Sequence, residues 1–208
     1  MTGYAFALPF AIENEQSTVL LAERNIIIPN TKAKAPSDII PQWAGQWSFI
    51  GDQVGEGESP EDTAVRALRE QVGVDLTDQS VVTNFVLGNR TLVLLKNDQL
   101  TPFYVMCIFT TSTALKLLSD ACNAAILKGT GTSGLIASTS TFPIDKARLQ
   151  VGVTAPPANG WRGYLVENYY GGKDTGILDT EPDILTSALT KSANEDPGFF
   201  TAALSDTE

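Results

Sequence analysis

Histidine is absent from this 208-residue sequence. Because histidine is the base in Ser-His-Asp and Cys-His sites and a common zinc ligand, its absence excludes those three kinds of site. Cysteine is scarce as well: Cys107 lies in an apolar run and Cys122 in a helical pattern. With no C-x-x-C spacing, we expect both to be buried small apolar side chains rather than a disulfide or reactive thiols.

Positive charge is also in short supply. The chain has 14 Lys and Arg against 24 Asp and Glu, a formal net charge of −10. This balance argues against a nucleic-acid backbone or an anionic membrane as the main partner. It leaves a nucleotide open as a ligand, because a bound metal or a local pocket can invert the local field.

Long apolar segments are missing. The N-terminal apolar run, residues 4–12, is too short to span a bilayer and contains Pro9. The basic region that opens a signal peptide is also missing. We therefore expect a cytoplasmic or otherwise intracellular protein with no membrane partner.

Composition and periodicity predict a folded α/β chain. A hydrophobic share of 43% with 18% charged residues suits one globular domain over residues 1–208, in which residues 129–208 form a less certain extension. The first segment, to about residue 28, is expected to form strands, most clearly at 18–22 and 25–29. Patterns of alternating or continuous apolar residues predict further strands at 47–50, 81–87, 91–95, 102–111 and 161–170. Helical spacing predicts helices at 59–72, 113–128 and 183–192. Residues 30–42 are expected to form a loop, residues 88–89 a hairpin turn, and residues 129–141 a loop or a weak strand.

The helix at 59–72 has clear start and stop signals. Ser59 suits the N-cap, Pro60 the first helical position and Gly73 the C-terminal stop. Its apolar stripe consists of Ala64, Val65, Leu68 and Val72.

This helix belongs to a motif over residues 51–74, GDQVGEGESPEDTAVRALREQVGV, that resembles the Nudix box, G-x5-E-x7-R-E-U-x-E-E-x-G-U with U aliphatic. The chain matches the box at Glu58, Arg66, Leu68, Glu70, Gly73 and Val74 with unbroken spacing. It departs from the box at Ala67 and Gln71, where the family has carboxylates, and the leading glycine falls on Asp52, after Gly51.

The resemblance implies a mixed β-sheet sandwiched between α-helices, in the order β-β-β-α-β-β-β-α, with a C-terminal extension. It also implies that carboxylates of the box hold Mg²⁺ or Mn²⁺, which bridges a pyrophosphate and activates water. Residues 67, 70 and 71 are expected on a face roughly 120° from the apolar stripe, at 100° per residue. On that face Glu70 is the one remaining carboxylate.

Other carboxylates are candidates to complete such a site. Asp52 and Glu56 precede the helix, and Glu23 and Glu167 lie in strand patterns. The resemblance further implies that Glu58 pairs with Arg66 to brace the loop against the helix, with Gly57 allowing a tight turn. The alternative is a solvated surface pair.

Three weaker patterns have ordinary explanations beside functional ones. Residues 129–134 fit G-x-G-x-x-G, but a helix precedes them and no crossover helix follows, so a flexible loop is favoured. Trp161 and Tyr164 suit stacking on a base or sugar, and equally strand packing or an interface. The acidic residues of 174–183 suit a solvated loop.

Two functional hypotheses follow. The first is a Nudix-fold protein with an incomplete metal site, serving as a non-catalytic binder of a nucleotide derivative or as an interaction or structural subunit. The second is a divergent Nudix hydrolase that cleaves a nucleoside diphosphate linked to another group, using Glu70, Mg²⁺ or Mn²⁺, and carboxylates outside the motif.

Overall fold

The computed structural model describes residues 3–14, 16–25, 28–29, 38–39, 47–96, 102–129 and 133–144. Its strands are β1 (Tyr4–Glu13), β2 (Gln16–Arg24), β3 (Ile28–Pro29), β4 (Asp38–Ile39), β5 (Trp47–Ser48), β6 (Ile50–Gln53), β7 (Arg90–Lys96), β8 (Pro102–Thr110) and β9 (Ile136–Pro143). Its helices are α1 (Pro60–Val72), α2 (Gln79–Asn84) and α3 (Ser112–Lys128). The predicted α/β class with a mixed sheet is confirmed.

Strand β1 is the centre of a seven-stranded sheet with the order β5-β2-β1-β8-β7, in which β6 also pairs with β1 and β9 with β2. It runs parallel to β8 and antiparallel to both β2 and β6. The ladder with β6 covers Tyr4 to Ala7 and the ladder with β2 begins at Phe10, so Pro9 lies between them. The missing N–H of this proline therefore interrupts neither antiparallel ladder.

Side chains of β1 alternate in size between the two faces of the sheet. The small residues Ala5, Ala7 and Ala11 share a buried cluster, which we call the helix-side core, with residues of α1 and α3. The large residues Phe6, Leu8 and Phe10 belong to the opposite cluster, which is rich in aromatic rings. Alanines on the helix side leave room for α1 and α3 to pack against the strands.

Several sequence predictions need correction. Residues 81–87, predicted as a strand, contain most of α2 and the turn that follows it. Asp78 caps this helix by accepting from the N–H of Ser80, and Val81, Val82 and Phe85 pack against the helix-side core. The cap and this packing outweigh the β-propensity of the two valines.

The predicted hairpin turn at 88–89 is wrong as a consequence, because α2 and not a strand precedes it. Instead, Gly88 donates its N–H to the carbonyl of Phe109, which brings the chain from α2 into β7 beside β8. The order of elements therefore differs from the one that the resemblance implied. A strand is lost at 81–87, and β9 is gained from residues predicted as a loop or a weak strand.

Other predicted boundaries change less. The strand at 47–50 is divided at Phe49 into β5, which pairs with β2, and β6, which pairs with β1. The two residues of β4 fall inside the predicted loop of 30–42 and pair with β3. Cys107 and Cys122 are both buried and neither forms a disulfide, as predicted. The strand predicted at 161–170, the helix at 183–192 and the acidic loop at 174–183 lie outside the described residues.

Within the described part of the chain, no helix combines the length and the apolar character needed to cross a membrane.

Candidate functional site

Helix α1 begins and ends where the sequence predicts. The hydroxyl of Ser59 accepts from the N–H of Asp62 at 3.1 Å and donates to its carboxylate at 2.6 Å, and Pro60 is the first helical residue. Gly73 follows the helix with a φ of 75° and donates its N–H to the carbonyl of Arg69 at 3.1 Å. The two caps therefore fix where the helix begins, after the loop that follows β6, and where it ends.

The buried face of α1 is broader than its apolar stripe. It consists of two neighbouring rows, Thr63, Ala67 and Gln71 beside Ala64, Leu68 and Val72. The helix packs against β1 and β6, and this breadth turns Ala67 and Gln71 toward the sheet with 1% and 3% exposure. The expectation that 67, 70 and 71 share one outward face is therefore wrong, since only Glu70 is exposed.

Four charged side chains, Arg66, Asp52, Glu58 and Glu70, form what we call the Arg66 cluster. Arg66 binds Glu58 through two bonds, Nε to Oε1 at 2.8 Å and Nη2 to Oε2 at 3.1 Å. Its Nη1 lies 2.9 Å from Oδ2 of Asp52 and 3.4 Å from Oε2 of Glu70. The predicted ion pair of Arg66 with Glu58 is present, and the same guanidinium binds two further carboxylates.

Two donors besides Arg66 hold Glu58. Its Oε2 accepts from the N–H of Gly55 at 3.2 Å and from the hydroxyl of Thr63 at 2.8 Å, besides Arg66. Chiefly through the Arg66 bonds, these contacts lower the pKa of Glu58 to about 2. Glu58 and Asp52 in turn raise the pKa of Arg66 above its already high ordinary value. Glu58 thus remains a carboxylate whose lone pairs are used within the protein.

Thr63 is the member of this arrangement that the sequence analysis missed. It is fully buried, and its hydroxyl also donates to the carbonyl of Ser59 at 3.0 Å. A signal was available, because a threonine one turn into a helix can bond both the preceding backbone and a carboxylate at the helix start.

The loop before α1 depends on two glycines. Gly57 has a φ of 75°, the left-handed region predicted for this turn, and a Cβ there would meet open space. At Gly55 a Cβ would lie 2.9 Å from the Glu58 carboxylate. Glycine at 55 therefore allows Glu58 to bond the loop backbone.

The other candidate residues are separate from the Arg66 cluster. Glu56 is exposed in the turn. Glu23 lies on β2 and accepts from the hydroxyl of Ser138 at 2.8 Å. Glu167, Trp161 and Tyr164 lie outside the described residues.

A site for Mg²⁺ or Mn²⁺ requires several free hard oxygen ligands. Asp52 and Glu70 direct oxygens to the same nitrogen of Arg66, and Ala67 has no oxygen. Gln71 points its Nε2 at the carbonyl of Gly51, 2.9 Å away, so a hydrogen and not a lone pair faces that oxygen. No group of three or more metal-ligating side chains occurs among the described residues. In this arrangement the residues do not fit a divalent metal.

Comparison with known proteins identifies the family. The family model for the NUDIX domain matches residues 3–114, which is more than half of the chain. A search of curated proteins finds no match.

Solved structures similar to this chain are themselves Nudix proteins at low sequence identity. A mutT/nudix family protein from Listeria innocua is 15% identical, with 93% of this chain and 94% of that chain covered and a TM-score of 0.48. An Ap4A hydrolase from C. elegans is 10% identical, with coverage of 83% and 97% and a TM-score of 0.37. The NUDIX domain of Shewanella oneidensis NrtR, crystallised with ADP ribose, is 15% identical, with coverage of 81% and 86% and a TM-score of 0.34. By the match of the family model to residues 3–114, the chain belongs to the Nudix domain family.

Proposed function

We propose that this chain is a Nudix-fold protein that does not hydrolyse pyrophosphate bonds efficiently. Its role is to bind a nucleotide derivative or to serve as an interaction or structural subunit of a larger assembly. The observation that carries the proposal is the sharing of Arg66 Nη1 by Asp52 and Glu70.

Metal-assisted hydrolysis of a pyrophosphate needs a cation that neutralises the phosphate oxygens and activates water. The cation in turn needs carboxylates whose charge is free to hold it. In the Arg66 cluster one positive guanidinium already lies among the three carboxylates, so a second cation would have to compete with it. This competition supports weak binding of Mg²⁺ or Mn²⁺.

The two positions without carboxylates support the same proposal. Ala67 and Gln71 are buried against the sheet. A glutamate at either position would place a charge in a nearly solvent-free site, which is costly unless a cation accompanies it. A protein that retains alanine and glutamine there avoids this cost and gives up the ligands.

A divergent hydrolase is the second candidate. The box spacing is intact, and the carboxylates of Asp52 and Glu70 converge on one point while remaining 48% exposed. A substrate-bound cation that displaced Arg66 from these two oxygens would find two ligands already close together.

A phosphate-release assay separates the two candidates. Nucleoside diphosphate derivatives, ADP-ribose among them, are incubated with Mg²⁺ or Mn²⁺ and either the wild type or Glu70→Gln. We expect slow or undetectable turnover that is the same for both proteins. Robust turnover by the wild type that Glu70→Gln abolishes would establish the hydrolase instead. The double variant Ala67→Glu with Gln71→Glu is assayed beside them and is expected to gain cation affinity if it folds.

Calorimetric titration with the same derivatives in EDTA distinguishes the two non-catalytic roles. Saturable binding without metal supports the nucleotide-derivative binder. Absence of binding by every derivative, together with assembly into a larger particle by light scattering, supports the subunit. We do not expect nucleic acid as a partner at a net charge of −10.

A further inference from the structure

The junction between the end of α1 and strand β6 contains a buried hydrogen bond. Gln71 is 3% exposed, and its Nε2 donates to the backbone carbonyl of Gly51 at 2.9 Å. A side chain at residue 51 would overlap Phe6 of β1, so glycine is needed where β6 pairs closely with β1. The position of the accepting carbonyl is therefore fixed by the sheet, and the helix is held to it through Gln71.

The other oxygen of this amide has a different environment. Oε1 of Gln71 is buried and has no hydrogen-bond partner among the described residues. Leaving a buried acceptor unpaired is unfavourable, and an apolar side chain of the same length would avoid that cost. The retention of an amide at this position is explained by the Nε2 bond to Gly51.

We infer that Gln71 fastens α1 to β6 in the place of a cation, so that this Nudix box keeps its shape without a divalent metal. A carboxylate at residue 71 would oppose the carbonyl oxygen of Gly51 with a second oxygen, and a cation or a proton would be needed between them. The amide supplies its own hydrogen to that carbonyl. The residues that do not fit a metal site therefore include one, Gln71, whose amide makes the connection to β6 that a cation would otherwise make.

On the exposed side of the same junction, Arg66 also connects α1 to β6. Asp52 follows Gly51 in β6, and Arg66 binds it at 2.9 Å. Two donors of α1, one neutral and one charged, therefore hold consecutive residues of β6. The inference rests on the proposed function, which takes the box to be without metal, and it is tested by stability and not by turnover.

The experiment compares thermal unfolding of the full chain in EDTA and in Mg²⁺ or Mn²⁺. The proteins are the wild type, Gln71→Glu, Gln71→Met and the matched neighbour Glu70→Gln, which changes a carboxylate on the exposed side. We expect the same Tm for the wild type in all three solutions. Gln71→Glu should unfold several degrees lower in EDTA at pH 7 and recover part of the loss when cation is added or when the pH is lowered toward 5. The cation would neutralise the buried carboxylate by binding it, and the lower pH would neutralise it by protonation.

The two other variants separate a cation effect from a packing effect. Gln71→Met removes the hydrogen bond without adding charge, so its Tm should fall and should not respond to cation or pH beyond the wild-type response. Glu70→Gln should show no cation-dependent shift. A wild-type Tm that rises with Mg²⁺ or Mn²⁺ would overturn the inference, and so would a Gln71→Glu protein that responds to neither cation nor pH.

Two further outcomes remain decisive. If Gln71→Glu does not fold, two measurements decide the inference: the Tm of the wild type in EDTA compared with its Tm in cation, and the loss of Tm in Gln71→Met. A Gln71→Met protein as stable as the wild type would overturn the inference. Hydrolysis by a wild type whose Tm is independent of cation would remove the proposed function and leave the role of Gln71 standing.

Discussion

Val86 adopts a left-handed backbone conformation, with a φ of 50°, two residues after the end of α2. Two hydrogen bonds fix this turn, from the N–H of Val86 to the carbonyl of Thr83 at 3.1 Å and from the N–H of Leu87 to the carbonyl of Val82 at 2.9 Å. This is the pattern in which glycine usually follows a helix, and a β-branched residue is strained there. The valine side chain is 55% exposed, so it gains little packing in return.

Val86→Gly should therefore stabilise the protein. Relief of the left-handed strain, about 1–2 kcal/mol, exceeds the entropic cost of glycine, about 0.5–1 kcal/mol, for a net gain of roughly 0.5–1 kcal/mol. Urea unfolding followed by circular dichroism measures the change. Gly57→Ala is the matched control, because its Cβ meets open space at a φ of 75° and only backbone strain is added. That variant should lose about 1 kcal/mol, and a loss of stability in Val86→Gly would show that the valine side chain has contacts of value.

Glu58 gives a prediction about pH. Its folded pKa of about 2 is below the ordinary value of 4.5, so its contribution to stability is complete above pH 4.5 and is lost as the pH falls toward 2. Glu58→Gln should lower the free energy of unfolding by about 1–2 kcal/mol at pH 7, a figure reduced by solvent screening of the partly exposed pair. Urea unfolding of both proteins from pH 7 to pH 2 should show the difference shrinking below pH 4.5. A difference that is constant over this range would contradict the role of the Glu58 charge.

Residues whose behaviour depends on near neighbours in sequence were predictable. Ser59, Pro60 and Gly73 act at the ends of one helix, and Glu58 reaches Arg66 across eight residues. The inward direction of Gln71 was not predictable in this way. It depends on the carbonyl of Gly51, and that carbonyl is brought there by the pairing of β6 with β1.

Helix α1 is the element that supports the site, and its buried rows should dominate its stability. Leu68 is 1% exposed and belongs to the helix-side core. Leu68→Ala should lower the free energy of unfolding by about 2–4 kcal/mol, because it removes buried methyl groups and leaves a cavity. Arg69→Ala changes the adjacent exposed residue and should alter the free energy of unfolding by less than about 0.5 kcal/mol. Equal losses for the two variants, measured by urea unfolding, would contradict the burial of this face.

Elements α2 and β9 show what the sequence left undetermined. The two valines of α2 favour a strand locally, and the helix forms because a cap and the core on one side stabilise it. Strand β9 has few large apolar residues to mark it, and its partner β2 lies more than a hundred residues earlier in the chain. It is fastened to α3 by polar bonds, including those between Thr139 and Asn123. Local sequence patterns do not reveal partners that lie this far apart in the chain.

On the scale of the whole molecule, stability should be graded from the centre of the sheet outward. The ladders of β1 engage three other strands and those of β8 engage two, while α2 has six residues and none that is fully buried. Amides open with free energies that rise with such burial, up to the free energy of global unfolding. In native-state hydrogen exchange, the slowest amides should therefore lie in β1 and β8, and those of α2 should exchange much faster.

Exchange is followed by NMR at several low urea concentrations, with the amides of α1 as an internal comparison because that helix buries two full rows against the sheet. If the amides of α2 were as protected as those of β1, the helix and the sheet centre would open as one unit, and the grading expected from the topology would be wrong.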